Sequence, residues 1–310
     1  MKSVRELLHS LELDFSAKVR WRMRFDRNPL FVTVQDKYAV RQYAAERGVK
    51  SPKLLYVTDR PETIPFDDLP SSYMLKANHG CNWNILCHDS ELYLFKNGKE
   101  FVNQGGRFLD MDRVARHKIG RDEAIALCRE WMGRKFARRA WAYLRIRPRI
   151  MVEELLVPAD GGELKDYKVF VFGGKAKALY AVCPSYRRGH GFIFFDTDWN
   201  AIKLTKYKLG VPERLPERPS RLGEILAAAE RLGAGLDFVR ADFYDTVEGI
   251  VLGEITIYPS GGKHDMPTAC PVFNLWLGDQ WRLSIIDKAV AVWWNLKGGY
   301  HRQKFKGRLR

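Results

Sequence analysis

Asp242 and Glu254 have the residue types and spacing to hold a cation. Val239, Ala241 and Phe243 alternate with polar residues before a turn, and Val251, Ile255 and Ile257 supply apolar positions after it. The pattern predicts a hairpin whose three-residue loop is Val247-Glu248-Gly249, with glycine at the positive φ. In that register Asp242 lies opposite Glu254, and Arg240 lies opposite Thr256. Opposed side chains are about 5 Å apart at Cβ. Two carboxylates at that distance repel by roughly 3 kcal/mol at an effective dielectric of about 20. A cation removes this cost, and hard oxygens with open positions suit Mg²⁺ carrying phosphates. The plainer reading is a solvated strand face with two separated acids.

Three further groups of residues can do chemistry. Asp36-Lys37-x-x-x-Arg41 precedes Gly48. Lys76 closes an apolar run and is followed by Asn78, His79, Gly80, Asn82, Trp83 and Asn84. Glu153 and Glu154 sit in the apolar run from Ile150 to Leu156, and Asp166-Tyr-Lys168 follows. Each is ordinary by itself: a lysine ending a strand is usually solvated, and an acid at a helix start usually caps it. No Ser-His-Asp or Cys-His arrangement is apparent.

The elements that must position these groups are legible in outline. Residues 1 to 35, with Arg20, Trp21, Arg22, Arg24, Phe25 and Arg27, read as one or two short helices without a core of their own. Asp36 caps a helix carrying Val40, Tyr43 and Ala44, which Gly48 ends. Strands are expected at 54–57, 72–76, 85–87, 92–95, 149–156, 167–172, 177–182 and 192–195. A helical stretch is expected from Arg121 to Ala142. Pro212 to Pro219 reads as a linker, after which Ser220 caps a helix with Leu222, Ile225, Leu226, Ala229 and Leu232 on one face.

The totals set bounds. At 310 residues and 46% hydrophobic content the chain can build a sizeable core, in one large domain or two. Lys and Arg number 52 against 37 Asp and Glu, a formal net charge of +15. That charge favours polyanionic partners without choosing among them. Five cysteines without a C-x-x-C pair point to neither zinc nor a disulfide framework, which suits a reducing cytoplasm. No signal-peptide core and no apolar run of about 20 residues is present.

Taken in order, the motifs resemble the ATP-grasp superfamily. They are most similar to its TupA-like group, found in bacterial surface-polysaccharide gene clusters and named for teichuronopeptide synthesis. The residues that carry this are Asp36 to Arg41, Leu75 to Gly80 with Trp83 and Asn84, Arg147 to Ile150, Asp166 to Lys168, Asp196 to Asn200, and Glu254 to Pro259. The similarity runs from about residue 35 to 280.

The resemblance implies an α+β ATP-grasp fold, with two α+β subdomains enclosing a nucleotide. Residues 1–70 would form an N-terminal helical segment, 71–156 a lid with the phosphate loop, 157–280 the metal-binding subdomain, and 281–310 a basic C-terminal helix and tail. It implies ATP and Mg²⁺ as cofactors. Lys76 would bind phosphates, with Asn78, His79, Gly80, Trp83 and Asn84 folding over them. Glu153 would hold the adenine amino group, the backbone near Leu156 would complete the hinge, and Glu154 is counted with the cofactor-binding residues. Lys168 would lie over the β- and γ-phosphates, and Lys37 and Arg41 would approach from the N-terminal side. Lys76, Lys168 and Arg240 are the expected catalytic cations. Asp242, Glu254 and Thr256 are the expected metal ligands, Thr256 standing where such enzymes usually have Asn.

The implied reaction turns a carboxylate into an acyl phosphate, which an amine then displaces. Such phosphoryl transfer needs mainly positioning and charge stabilisation. Acceptor candidates are Arg138, Arg139, Trp141 and Tyr143, then Tyr186, Arg187 and Arg188, and Ser260-Gly261-Gly262-Lys263-His264, whose glycine N–H groups could face an anion. The expected partners are an acidic glycan or lipid-linked glycan precursor and an amine-bearing co-substrate. The location expected is cytoplasmic, with peripheral contact to an anionic membrane through Lys297, Arg302, Lys304, Lys306, Arg308 and Arg310. Nucleic acid is not expected. The alternatives are a glycosyltransferase using Asp196-Thr197-Asp198, an ATP-dependent kinase of a sugar or lipid acceptor, and a nonenzymatic polyanion binder.

Overall fold

A computed structural model describes residues 13–94, 117–137, 139–162, 164–182, 193–202, 215–263 and 270–296. Three helices come first: α1 (Phe15–Phe25), α2 (Leu30–Gln35) and α3 (Val40–Ala45). A six-stranded antiparallel sheet follows, built from β1 (Leu54–Thr58), β2 (Tyr73–Ala77), β3 (Asn84–His88), β4 (Glu91–Leu94), β5 (Lys118–Ile119) and β6 (Ile150–Glu154), in the order β1-β6-β2-β3-β4-β5. Helix α4 (Arg121–Gly133) packs on it. Tyr73, Leu75, Ala77, Ile150 and Val152 share a core with Ala124, Cys128 and Trp131 of α4. Side chains alternate across a strand, so Met74, Lys76, Met151 and Glu153 fall on the opposite face.

The second antiparallel sheet contains β7 (Asp166–Phe172), β8 (Lys175–Val182), β9 (Phe194–Phe195), β10 (Phe238–Thr246) and β11 (Gly249–Thr256), in the order β11-β10-β7-β8-β9. Helix α5 (Leu222–Gly233) lies between β9 and β10 in sequence, and α6 (Pro271–Gln280) and α7 (Ile285–Leu296) follow the sheet. Helix α5 covers one face, where its terminal Gly233 meets Val171 and Val239. The other face is divided. At one end Phe172 and Phe238 pack with Phe15 of α1 and with Trp281, the Phe15 and Trp281 rings both 4.9 Å from Phe238. At the other end the register aligns Lys168 with Asp242, Asp166 with Tyr244, and Asp242 with Glu254. This is the expected pairing of the two acids, and Arg240 lies opposite Thr256 as expected.

The hairpin reaches that register differently. Thr246 pairs with Gly249, so the loop is two residues, Val247-Glu248, and the pairing shifts between Asp242 and Phe243. Phe243 faces Leu252, which leaves Gly253 as the extra residue of a bulge. A Cβ on Gly253 would stand 2.7 Å from the Tyr244 ring, so glycine suits the bulge. The short loop and the bulge offset one another.

Two other expectations shift. Helix α4 stops at Gly133 rather than Ala142, because Arg134 turns extended; a 3₁₀ turn then spans Ala142–Arg145. The basic N-terminal stretch is partly interior. Arg22 is fully buried, donates to Phe238 O at 2.8 Å, bonds Asp237, and stacks over Trp281 at 4.1 Å. Lys18 Nζ donates to Gly278 O and Trp281 O at 2.7 and 2.6 Å, and burial lowers its pKa to about 8. Lys18 thus fills backbone carbonyls left open where α6 ends, and Arg22 serves one at the start of β10.

Close backbone approach holds α1 against α6. A Cβ on Gly278 would stand 2.6 Å from Leu13 O, a backbone atom that cannot swing away. Gly278→Ala should lower stability by about 1–3 kcal/mol, read as a lower urea midpoint at unchanged slope. Gly223→Ala, on α5 with open space around the new methyl, should leave stability equal or raise it by up to about 1 kcal/mol. Equal effects of the two substitutions would refute the packing account.

Candidate functional site

Two clusters of charge line the site, one from each sheet. On the first sheet, alternation puts Lys76 and Glu153 on the face away from α4. Lys76 Nζ lies 2.8 Å from Glu153 Oε2, and Arg41 Nη1 lies 2.8 Å from Oε1. Arg41 also donates to Pro52 O, which ties α3 to the chain entering β1. Glu154 is on the alternate position, where its Oε1 accepts from Lys53 N–H at 2.5 Å. Leu156 follows β6 in half-buried coil.

The segment after Lys76 is tightly built. Asn78 is fully buried; its amide N donates to Asp36 Oδ1 at 2.8 Å and Arg147 O at 3.0 Å, and its Oδ1 accepts from Arg149 N–H at 2.7 Å. His79 is buried, with Nε2 3.0 Å from Trp131 O and Nδ1 3.1 Å from Asn78 Oδ1. Burial lowers its pKa. Trp83 covers Gly80, whose missing Cβ makes room for the indole, and stacks parallel to Trp131. Asn84 begins β3 opposite Lys76. The loop is thus anchored to Asp36, to α4 and to the start of β6.

On the second sheet Asp242 is 1% exposed. Lys168 Nζ contacts its Oδ2 at 2.5 Å and Asp166 Oδ2 at 2.6 Å. Arg240 approaches from the other side, Nε to Asp242 Oδ1 at 2.7 Å and Nη2 to Oδ2 at 2.6 Å. The same Nη2 is 3.2 Å from Glu254 Oε1 and 3.1 Å from Thr256 Oγ1. One cationic nitrogen therefore marks where oxygens of Asp242, Glu254 and Thr256 converge. Such an all-oxygen set suits Mg²⁺. It holds two carboxylates and a hydroxyl, and no group of three or more His, Cys, Asp or Glu side chains forms a metal site among the described residues.

Lys37 joins the two clusters. Its Nζ donates to Gly80 O at 2.6 Å and lies 3.6 Å from Glu254 Oε2. Burial opposes charge on Glu254, yet Lys37, Arg240 and Lys168 hold its pKa down to about 2. Cys81 stands in the same field; burial and Glu254 raise its thiol against Lys37, Arg240 and Lys168. Tyr143 is also near Glu254 and accepts from Gln35 Nε2 at 2.9 Å.

Two contributors carry no assigned role in the sequence reading. Asp166 is two residues before Lys168 on one strand, a spacing that puts both on one face; its Oδ1 is buried without a hydrogen-bond partner. Arg149 stacks over Tyr38 at 4.6 Å, and its charge acts on the Asp36 carboxyl. Arg149 shares a strand-face parity with Glu153, which was the available signal.

The acceptor candidates divide. Arg138, Tyr186, Arg187, Arg188 and His264 lie outside the described residues. Trp141 stacks with Arg27 at 5.4 Å. The Gly261 N–H donates to Tyr258 O, and Gly262 presses on α1 near Ser16 O. An anion facing the Gly261 N–H is therefore ruled out, because the turn spends that donor internally. Asp196 accepts from the N–H groups of Asp198 and Asn200, at 3.0 and 2.8 Å, and so closes its own turn.

Burial, countered by Lys168 and reinforced by Asp242, raises the Asp166 pKa from 3.8 to about 6. A raised carboxyl contributes stability that is full below its unfolded value and is lost as pH rises through the folded one. Stability should fall as pH rises from about 4 to about 6 through this group. Asp166→Asn should remove that portion of the slope, measured by urea unfolding across the window. An unchanged slope would refute it.

No curated protein matches this sequence. Among solved structures, D-alanine–D-alanine ligase from Bacillus anthracis, in complex with ATP, is similar at 11% identity and a TM-score of 0.44, covering 84% of this chain and 66% of that one. The Helicobacter pylori D-alanine–D-alanine ligase is similar at 14% identity and a TM-score of 0.40, covering 81% and 61%. The N5-carboxyaminoimidazole synthetase of Staphylococcus aureus, complexed with ADP, is similar at 11% identity and a TM-score of 0.39, covering 75% and 47%. The chain thus spans two thirds or less of the length of each. The model of the family described as TupA-like ATPgrasp matches residues 17–282, most of the chain and both sheets. The chain belongs to the TupA-like ATP-grasp family.

Proposed function

We propose that this chain is an ATP- and Mg²⁺-dependent ligase that joins a carboxylate to an amine on a bacterial surface polysaccharide or its precursor. Family membership supports ATP-grasp chemistry. The observation that carries the reading is the bridge at Lys37, which brings the Lys76 loop and the Asp242–Glu254 pair to one cation.

Bound ATP would supply the γ-phosphoryl group that converts the carboxylate to an acyl phosphate, from which an amine displaces phosphate as it loses a proton. Asp242, Glu254 and Thr256 would hold Mg²⁺. Their oxygens already converge on the Arg240 guanidinium, so the donor set fits. Lys168 and Arg240 are paired with Asp242. With Asp242 among the residues that would hold Mg²⁺, Lys168 and Arg240 would be available to phosphate oxygens, Asp166 steadying Lys168. Lys76 and Arg41 are held by Glu153 in the same way. They would turn to phosphates as Glu153, with the backbone near Leu156, turns to adenine. Turned to the phosphates, these cations would stabilise charge on the transferring group.

Tyr143, near Glu254, and Arg149, over Tyr38, would orient the acceptor carboxylate. An acidic glycan or lipid-linked precursor fits this basic surface, and an amine-bearing co-substrate completes the reaction. A cytoplasmic location with peripheral contact at the inner membrane face accords with this role. Among the described residues no helix is long and apolar enough to cross a membrane.

Thermal unfolding with and without Mg·ATP tests the site. A ligand at about 100 times its Kd stabilises the native state by about 2.7 kcal/mol, several degrees for a chain of this size. Wild type should shift only when Mg²⁺ is present, and Lys76→Ala and Glu254→Gln should each lose the shift. A sugar nucleotide that shifts wild type where Mg·ATP does not would replace the ligase reading with a glycosyltransferase.

A further inference from the structure

Helix α7 is apolar on two sides, and among the described residues only one of them is covered. Its inner side packs on α1: Ala291 is buried, Val290 lies against the cluster of Leu13, Ala17 and Trp21, and Trp294 meets Phe25 at 5.4 Å. Asp287, the helix's one acid, is half-buried and accepts from Ser284 Oγ at 2.6 Å. On the outer side Ile285 is 90% exposed, Ile286 76%, Trp293 55% and Leu296 70%. With Ala289 these occupy an arc of about 100° on a helix of about 3.6 residues per turn. Val272 and Trp276 of α6 are exposed as well. A contiguous patch of large apolar side chains marks an interaction surface.

The sequence that follows α7 says which surface. Directly after α7 the sequence runs through Lys297, Arg302, Lys304, Lys306, Arg308 and Arg310, with no Asp or Glu from 297 to 310. An apolar helix face carrying tryptophan, next to concentrated positive charge, has the composition of an element that lies in a membrane interface. The helix also lies beyond residue 282, where the family match ends, so the shared ATP-grasp fold does not account for it.

We propose that the outer face of α7 docks on an anionic lipid surface, with Ile285, Ile286, Trp293 and Leu296 entering the headgroup boundary. The inference is independent of the ligase reading. The apolar face supplies an attachment that salt does not screen, so binding should keep a part that salt leaves in place.

The test is sedimentation of the full chain with phosphatidylcholine vesicles, with and without phosphatidylglycerol. Wild type should bind the anionic vesicles, with weak or no binding to the neutral ones. The double variant Ile285→Glu/Trp293→Glu should bind at least about tenfold more weakly, since each change puts a charge where an apolar group would enter lipid. Both positions are exposed, so its circular dichroism and melting temperature should match wild type. Equal binding of variant and wild type would overturn the proposal and leave attachment to the basic stretch alone. A wild-type dimer in light scattering that the variant abolishes, without vesicle binding, would overturn it and assign the face to a second copy. Binding that appears only after residues 1–12 are deleted would overturn it and assign the face to that segment.

Discussion

The structure around the site depends on the buried carboxylate of Asp242. Removing such a charge from water costs several kcal/mol unless it is paired and hydrogen-bonded. Lys168 and Arg240 both pair with it. Each needs further partners, and these extend the network to Asp166 on one side and to Glu254 and Thr256 on the other. Glu254 in turn draws in Lys37, which is bonded to Gly80 of the other sheet's loop. Charge compensation therefore runs from one sheet to the other, and the two halves of the cleft are coupled by it.

The same sheet face explains why the cleft opens where it does. Along β7 and β10 one end carries Lys168, Asp166 and Asp242, and the other carries Phe170, Phe172 and Phe238. Phe15 and Trp281 close the aromatic end. The charged end cannot be closed by apolar helices without stranding its ions. Arg22 and Lys18 then hold α1 to Phe238, Gly278 and Trp281, which makes the N-terminal segment part of this subdomain's core.

How much of this is legible in the sequence varies with the kind of claim. The opposition of Asp242 and Glu254 follows from strand alternation, and it holds although the loop is shorter than expected. The bulge at Gly253 restores the register, and nothing in a single sequence distinguishes a bulge glycine from a turn glycine. The placement of Lys76 and Glu153 on one face is equally a matter of parity. Their pairing with each other and with Arg41 is not, because parity says nothing of reach or of competing partners. The burial of Arg22 was hidden because an arginine among other basic residues looks solvated until its carbonyl and carboxylate partners are in place.

By itself the sequence determined which side chains share a strand face, where the motifs fall in order, and hence the family and its α+β fold. Those features are local and periodic, so they survive without coordinates. Tertiary structure alone decided which charges meet: Arg41 with Glu153, Lys37 with both Gly80 and Glu254, and Lys168 with Asp166 and Asp242. It also decided that, among the described residues, α7 has one apolar face covered and the other exposed. Ion pairing and exposure depend on distances between segments far apart in the chain, and on how much water remains between them.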